Sequence, residues 1–265
     1  IKNVEAAQEA TGLLGVTPNK GGVVVKLVAY GTSMAFVSTH LAAHLQHCAH
    51  RNANFTEIID NVRIGRKDID FDCQFHHCFW MGDLNYRSDF RLEGATTTNG
   101  LWISKDIVPK ATAWPRVRAL VDAGDWGALL AIDQLRACQA AGLAFVGFQE
   151  ATPSFSPTFK MKRVPGYTYT EQRVPSYCDR VLWKSQPSRA TDVRVVASEA
   201  HPTVFTSDHK PMSTSFEVAC RPVPKSVKLK PAKSPFVTIT NLRGANLFKA
   251  DVAASDPYIR FETDP

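Results

Sequence analysis

No stretch of this sequence is long and apolar enough to read as a membrane-spanning helix, and no signal peptide stands at its start. The first residue is Ile1 and the pattern opens in mid-run, so the natural N-terminus is expected to lie upstream, with room for a targeting signal. The six cysteines, Cys48, Cys73, Cys78, Cys138, Cys178 and Cys220, lack the even framework of small disulfide-stapled secreted domains, which points to a reducing, intracellular compartment. No internal repeat is present, which excludes solenoid and propeller arrays. No Gly-rich phosphate loop follows any strand-like run. With 21% charged and 44% hydrophobic residues the chain is not a disordered tail, and its 265 residues suit one large α/β domain, or one domain and part of a second. The net charge of +6 and pI near 9.0 favour anionic partners, whether phosphorylated substrates, nucleic acid or acidic lipid, without choosing among them.

The β-branched run after Gly21-Gly22, from Val23 to Tyr30, reads as a strand, and Gly31-Thr32 as the turn to a returning strand over Met34–Thr39. His40 follows at the rim. Phe55, Ile58, Ile59 and Val62 have helical spacing, predicting a helix from about Asn52. His77–Met81 reads as a strand stopped by Gly82, and Gly94–Gly100 as a loop. Trp126–Ala140 carries an apolar stripe of one helix, with Gly142 as its cap. Residues 151–178, rich in Pro, Ser and Thr, read as loop; Asp179–Trp183, Asp192–Ala197 and Ser213–Val218 read as strands. Arg221–Pro235, with several Lys and four Pro, reads as a linker.

Four separated segments hold residue types suited to phosphate chemistry, which needs a positioned water, a base, and donors around the phosphoryl oxygens. In Phe79–Arg87, Asp83 and Asn85 lie two apart beyond a buried strand, and alternation predicts them on one side: a carboxylate to take a proton, an amide to donate. The same pair equally suits a polar turn capping a helix. In Ser207–Pro211, Asp208 and His209 stand side by side, able to serve a metal and a phosphate, although such pairs are common. In Ser38–His44, His40 ends a strand and suits a phosphate donor, while His44 reads as structural. In Arg173–Leu182, Asp179 can hold a histidine in one tautomer, or pair with an arginine of its own segment.

Together these segments resemble one family. "FWMGDLNYR" and "RVPSYCDRVL" are similar to the two signature motifs of the inositol polyphosphate 5-phosphatases, and "NKGGV", "STHLAAH", "FVGFQEATPSFSPTFK" and "SDHKP" fall in the family's order, over about residues 15–219. The resemblance implies a DNase-I-like α/β fold, two β-sheets packed face to face with helices outside, and magnesium as cofactor. It implies that Asp83 activates water, that Asn85 contacts the phosphoryl group, and that His40 and His209 donate to its oxygens. It further implies that Asp179 orients His209, that Asp208 lies at or near the magnesium, and that Lys160 and Arg173 hold the neighbouring 4-phosphate. Phe159 stands where the family usually has Tyr, removing one hydroxyl contact.

The family's metal-binding Glu, in a "QE" motif, and an Asn before it belong upstream of "NKGGV", where neither occurs here; Gln149-Glu150 resembles that motif but sits in the later "GFQE" segment. The sequence as it stands is therefore expected to bind magnesium poorly and to have little activity alone. Cys73–Cys78, with two histidines inside, fits no common zinc spacing. From Phe236 the chain resembles the opening of a protein-kinase-C-type calcium- and lipid-binding β-sandwich, with Asp251 and Asp256 at two calcium-ligand positions. The domain reading is a catalytic domain over 1–219, a Pro/Lys-rich linker over 220–235 and a β-sandwich start over 236–265. The expected function is removal of the 5-phosphate from phosphatidylinositol 4,5-bisphosphate or 3,4,5-trisphosphate, and from soluble inositol phosphates, by a cytoplasmic protein peripheral at membranes that has no nucleic-acid partner. The rival readings are a phosphodiesterase of the same fold (nuclease or sphingomyelinase) and an inactive lipid-binding scaffold.

Overall fold

The computed structural model describes residues 1–11, 19–93 and 106–221. The loop reading at 94–100, nearly all of the linker, and the β-sandwich start with Asp251 and Asp256 lie outside the described residues. The main sheet has six strands in the order β1-β2-β3-β4-β6-β5. These are β1 (Lys2–Ala10), β2 (Gly21–Ala29), β3 (Thr32–His40), β4 (His77–Asp83), β5 (Gln149–Glu150) and β6 (Asp179–Ser185). β3 and β4 run parallel and every other pairing is antiparallel. A second sheet pairs β7 (Val193–Ala200) with β8 (Met212–Val218). Among the described residues the α-helices are α1 (Cys48–Asn61), α2 (Phe71–Gln74), α3 (Lys110–Ala123), α4 (Trp126–Ala131) and α5 (Gln134–Ala140), with short 3-10 turns besides. Among the described residues, no helix is long and apolar enough to cross a membrane.

Strand alternation sorts the main sheet into two apolar faces. Val24, Ala35, Val37, Cys78, Trp80 and Leu182 pack with Ile58 and Ile59 of α1 and with Phe71, Phe145 and Phe148. The intervening residues, Met34, Phe36, Phe79, Met81 and Trp183, face Val193, Val195, Phe216 and Val218 of the second sheet. The hairpin joining β2 to β3 turns at Tyr30 and Gly31, both at positive φ, the conformation a two-residue hairpin loop needs to match strand twist.

Three sequence expectations change. β4 runs through Gly82 to Asp83 instead of stopping. A Cβ on Gly82 would meet the Thr39 carbonyl oxygen at 2.0 Å, so the glycine admits a close approach of β3 rather than ending the strand. The single helix over 126–140 is two, because Asp133 leaves the helix to cap α5, accepting from the Arg136 N–H. α1 starts at Cys48, a turn earlier than the spacing of its apolar residues suggested.

Candidate active site

Three adjacent strands end in one row. His40 closes β3, Asp83 closes β4 and Asp179 opens β6, and the register pairs His40 with Asp83 and Asp83 with Asp179. Residues more than 90 positions apart thus become cross-strand neighbours. His40 Nε2 lies 3.2 Å from Asp83 Oδ2. Asp83 and Asp179 open onto a cavity of about 830 Å³ between the main sheet and β8, walled by Phe36, Phe79, Met81 and Phe216.

His209 enters from the chain between β7 and β8. Its Nδ1 is 3.0 Å from Asp179 Oδ2 and its Nε2 is 3.9 Å from Asp83 Oδ2. A carboxylate only accepts, so Nδ1 carries the proton it donates to Asp179. The Thr158 hydroxyl donates to Asp179 from the other side at 2.6 Å. Asp179 is therefore fixed by two donors, and in turn fixes the imidazole. Burial pulls the His209 pKa down, but the carboxylates of Asp179, Asp83 and Asp208 outweigh it and hold the ring above its ordinary value. In its protonated form, which these carboxylates favour, the ring donates from both nitrogens.

Asp208 does not join this group. Its carboxylate pairs with Lys160 Nζ at 3.3 Å, and although burial acts to raise its pKa, Lys160 and His209 keep it below the usual carboxylate value. Asn85 does not share a side with Asp83 by alternation, because the strand has ended and Asn85 adopts positive φ. Its N–H donates to Asp83 Oδ1 at 3.0 Å, its Nδ2 donates to the Leu41 carbonyl at 3.1 Å, and its Oδ1 accepts from Arg87. An amide nitrogen has a second hydrogen left to donate. Arg173 is exposed on the wall of a second cavity of about 460 Å³, beside His44 and Arg87. Phe159 lies between the two cavities' residues, with the Arg87 guanidinium 4.5 Å from its ring centroid on one side and the His209 ring 4.5 Å away on the other.

Gln149 and Glu150 serve a different purpose from the motif they resemble. Glu150 accepts twice from Arg180, at 2.6 Å each, and Arg180 also donates to both oxygens of Asp133. Asp179 is thus not paired with the arginine of its own segment. Cys73 lies in α2, whereas His77 and Cys78 open β4, where Cys78 is buried in the core and His77 bonds to Ser185 through Nδ1. Sequence reasoning gave no role to Thr158, Arg87 or Lys20. All three stand inside quoted motifs and carried that much signal; Thr158 is a short polar residue in a loop, and nothing in the sequence ties it to Asp179.

Asp83, Asp179 and His209 each offer a ligand atom, all within 4.8 Å of one another, the one such metal-capable group among the described residues. Two carboxylates suit a hard divalent cation, which proteins commonly hold through one or two carboxylates plus substrate phosphate and water.

The family model for endonuclease/exonuclease/phosphatase family 2 matches residues 1–215. The chain is 33% identical over 230 residues to phosphatidylinositol 3,4,5-trisphosphate 5-phosphatase 2B of Danio rerio, covering 82% of this chain and 17% of that protein. It is 29% identical over 253 residues to type II inositol 1,4,5-trisphosphate 5-phosphatase of Mus musculus, covering 93% of this chain and 23% of that one. The chain therefore spans less than a quarter of either relative. Among solved structures, the inositol polyphosphate 5-phosphatase domain of SPsynaptojanin, in complex with inositol (1,4)-bisphosphate and a calcium ion, superposes with a TM-score of 0.62 at 25% identity, covering 82% of this chain and 56% of that one. A Cimex nitrophorin superposes at 0.59 with 21% identity over 81% of this chain and 64% of that one, a likeness of fold alone.

Proposed function

This chain belongs to endonuclease/exonuclease/phosphatase family 2 and, within it, to the inositol polyphosphate 5-phosphatases, and from that premise we propose that it takes part in hydrolysing the 5-phosphate of phosphoinositides and soluble inositol phosphates. The observation that carries the proposal is the row His40–Asp83–Asp179 with His209 set across it.

In this reading the Asp83 carboxylate takes a proton from the water that attacks phosphorus in line, and the bond from phosphorus to the ring oxygen breaks as the new one forms. His209, whose charged form is favoured by its carboxylate neighbours, donates from Nε2 to a phosphoryl oxygen. Asp179 keeps that nitrogen aimed by holding Nδ1. Asn85 offers the remaining hydrogen of Nδ2. Asp83 and Asp179 would hold magnesium, with Asp208 nearby, and the ion would neutralise charge on the phosphoryl oxygens. Lys160 and Arg173 are assigned to the 4-phosphate, and Phe159 offers that phosphate a ring edge and no hydroxyl. Phosphatidylinositol 4,5-bisphosphate and 3,4,5-trisphosphate are the proposed lipid substrates, which requires peripheral contact with a membrane surface, on its cytoplasmic side.

The test is phosphate release from phosphatidylinositol 4,5-bisphosphate vesicles and from inositol 1,4,5-trisphosphate, with magnesium or with chelator, for the full-length protein that contains this chain and for its Asp83→Ala variant. Release is expected to require the metal and to fall by about 10²–10⁴-fold in the variant. Cleavage of phosphodiesters with no release from either monoester would contradict the proposal.

A further inference from the structure

Lys20 sits at the open end of the same row. It precedes β2, where the register sets Gly21 opposite His40. The Thr11 N–H donates to the Lys20 carbonyl at 3.0 Å, tying the backbone to the end of β1. Gly21 makes this possible, since a Cβ there would lie 2.2 Å from the Glu9 carbonyl oxygen. The Lys20 side chain is half-buried and its Nζ lies 2.7 Å from His40 Nε2. The same Nζ lies 3.4 Å from His40 Nδ1, so the ammonium stands over the face of the ring and not on the in-plane lone pair of either nitrogen. His40 Nε2, 3.2 Å from Asp83 Oδ2, stays free to donate to that oxygen. The ammonium itself forms no ion pair among the described residues, so its N–H bonds are available to an anion at this rim.

We propose that Lys20 is a substrate-binding residue, its ammonium donating to an oxygen of the phosphate that faces Asp83, with His40 holding it in place; this rests on the phosphatase reading above. The ammonium acts as a point charge on a short tether, which suits a group that is a dianion on entry and gains charge density as water attacks.

The experiment compares the full-length protein that contains this chain with its Lys20→Met, Lys20→Gln and Lys20→Arg variants, reading kcat and KM for inositol 1,4,5-trisphosphate, competitive inhibition by inorganic phosphate, and the melting midpoint. Losing a hydrogen bond from a charged donor predicts a fall in kcat/KM of about 10–100-fold in Lys20→Met and Lys20→Gln, with inhibition by inorganic phosphate weakened to a similar degree. Lys20→Arg restores most of both. The midpoint stays within a few degrees of the parent, because the side chain stands at a rim. A Lys20→Met enzyme within twofold of the parent on both measures overturns the proposal while leaving the phosphatase reading intact. A fall in kcat with phosphate inhibition unchanged also overturns it, since Lys20 would then act only through His40. A parent protein that neither releases phosphate nor is inhibited by it removes the phosphatase reading, and the proposal with it.

Discussion

Asp179 and Arg180 are consecutive in the chain and belong to two different parts of the molecule. Asp179 points toward the second sheet, half-exposed, and accepts from His209 and Thr158. Arg180 points the other way, fully buried, and is saturated by Asp133 and Glu150. Burial acts to lower the pKa of this guanidinium, but the carboxylates of Asp133 and Glu150 outweigh it and hold it above its ordinary value. Strand alternation puts a site residue and a scaffold residue back to back. The contrast shows what makes a charged group available for chemistry: not its identity but whether its valences are already filled. Asp83 and Asp179 face a cavity beside His209, while Asp133 and Glu150, the same chemical group, have given their oxygens to one arginine.

The sharpest break of this comparison is Arg180→Met. It strands two buried carboxylates, which should cost about 3–5 kcal/mol of stability, read as a lowered urea midpoint. Activity per folded molecule should change little by comparison. A smaller effect separates the two faces by pH. The His209 midpoint, followed by NMR, should lie above 6.5 in the parent and fall in Asp179→Asn, where burial is no longer opposed by its nearest carboxylate. Because the folded pKa is raised, this histidine stabilises the fold fully below its unfolded pKa, and the contribution is lost as pH rises through the folded value. Asp179→Asn should flatten that dependence. The least effect belongs to Arg194→Ala. The Arg194–Glu217 pair, at 2.5 Å with both side chains about two-thirds exposed, should contribute under about 1 kcal/mol to a melting measurement.

The strands that carry the site were legible because each holds a short apolar run: Val23–Tyr30, Met34–Thr39, His77–Met81 and Asp179–Trp183 all lie in observed strands or their turns. β1 was not, since all but two of its residues are exposed and it is held by pairing with β2 rather than by an apolar face. α3 was hidden by Pro115 in its first turns, although Ala113, Val117 and Val121 repeat at helical spacing on its buried side. His40, Asp83, Asp179 and His209 were named from their segments, and their convergence follows from register, which no single segment contains. The Asp133–Arg180–Glu150 network was illegible for the same reason, since its members lie 30 and 47 positions apart. Asn85 shows the limit of alternation, which fails two residues past the end of β4.

The most direct test of this account is Asp179→Asn, with turnover of inositol 1,4,5-trisphosphate and the melting midpoint measured on the same preparation. Asp179 is read as acting on chemistry by aiming His209, so turnover should fall by about 10²–10⁴-fold while the midpoint moves by only a few degrees. Turnover preserved, or a midpoint that collapses as far as that of Arg180→Met, would contradict the division of β6 into a catalytic face and a structural one.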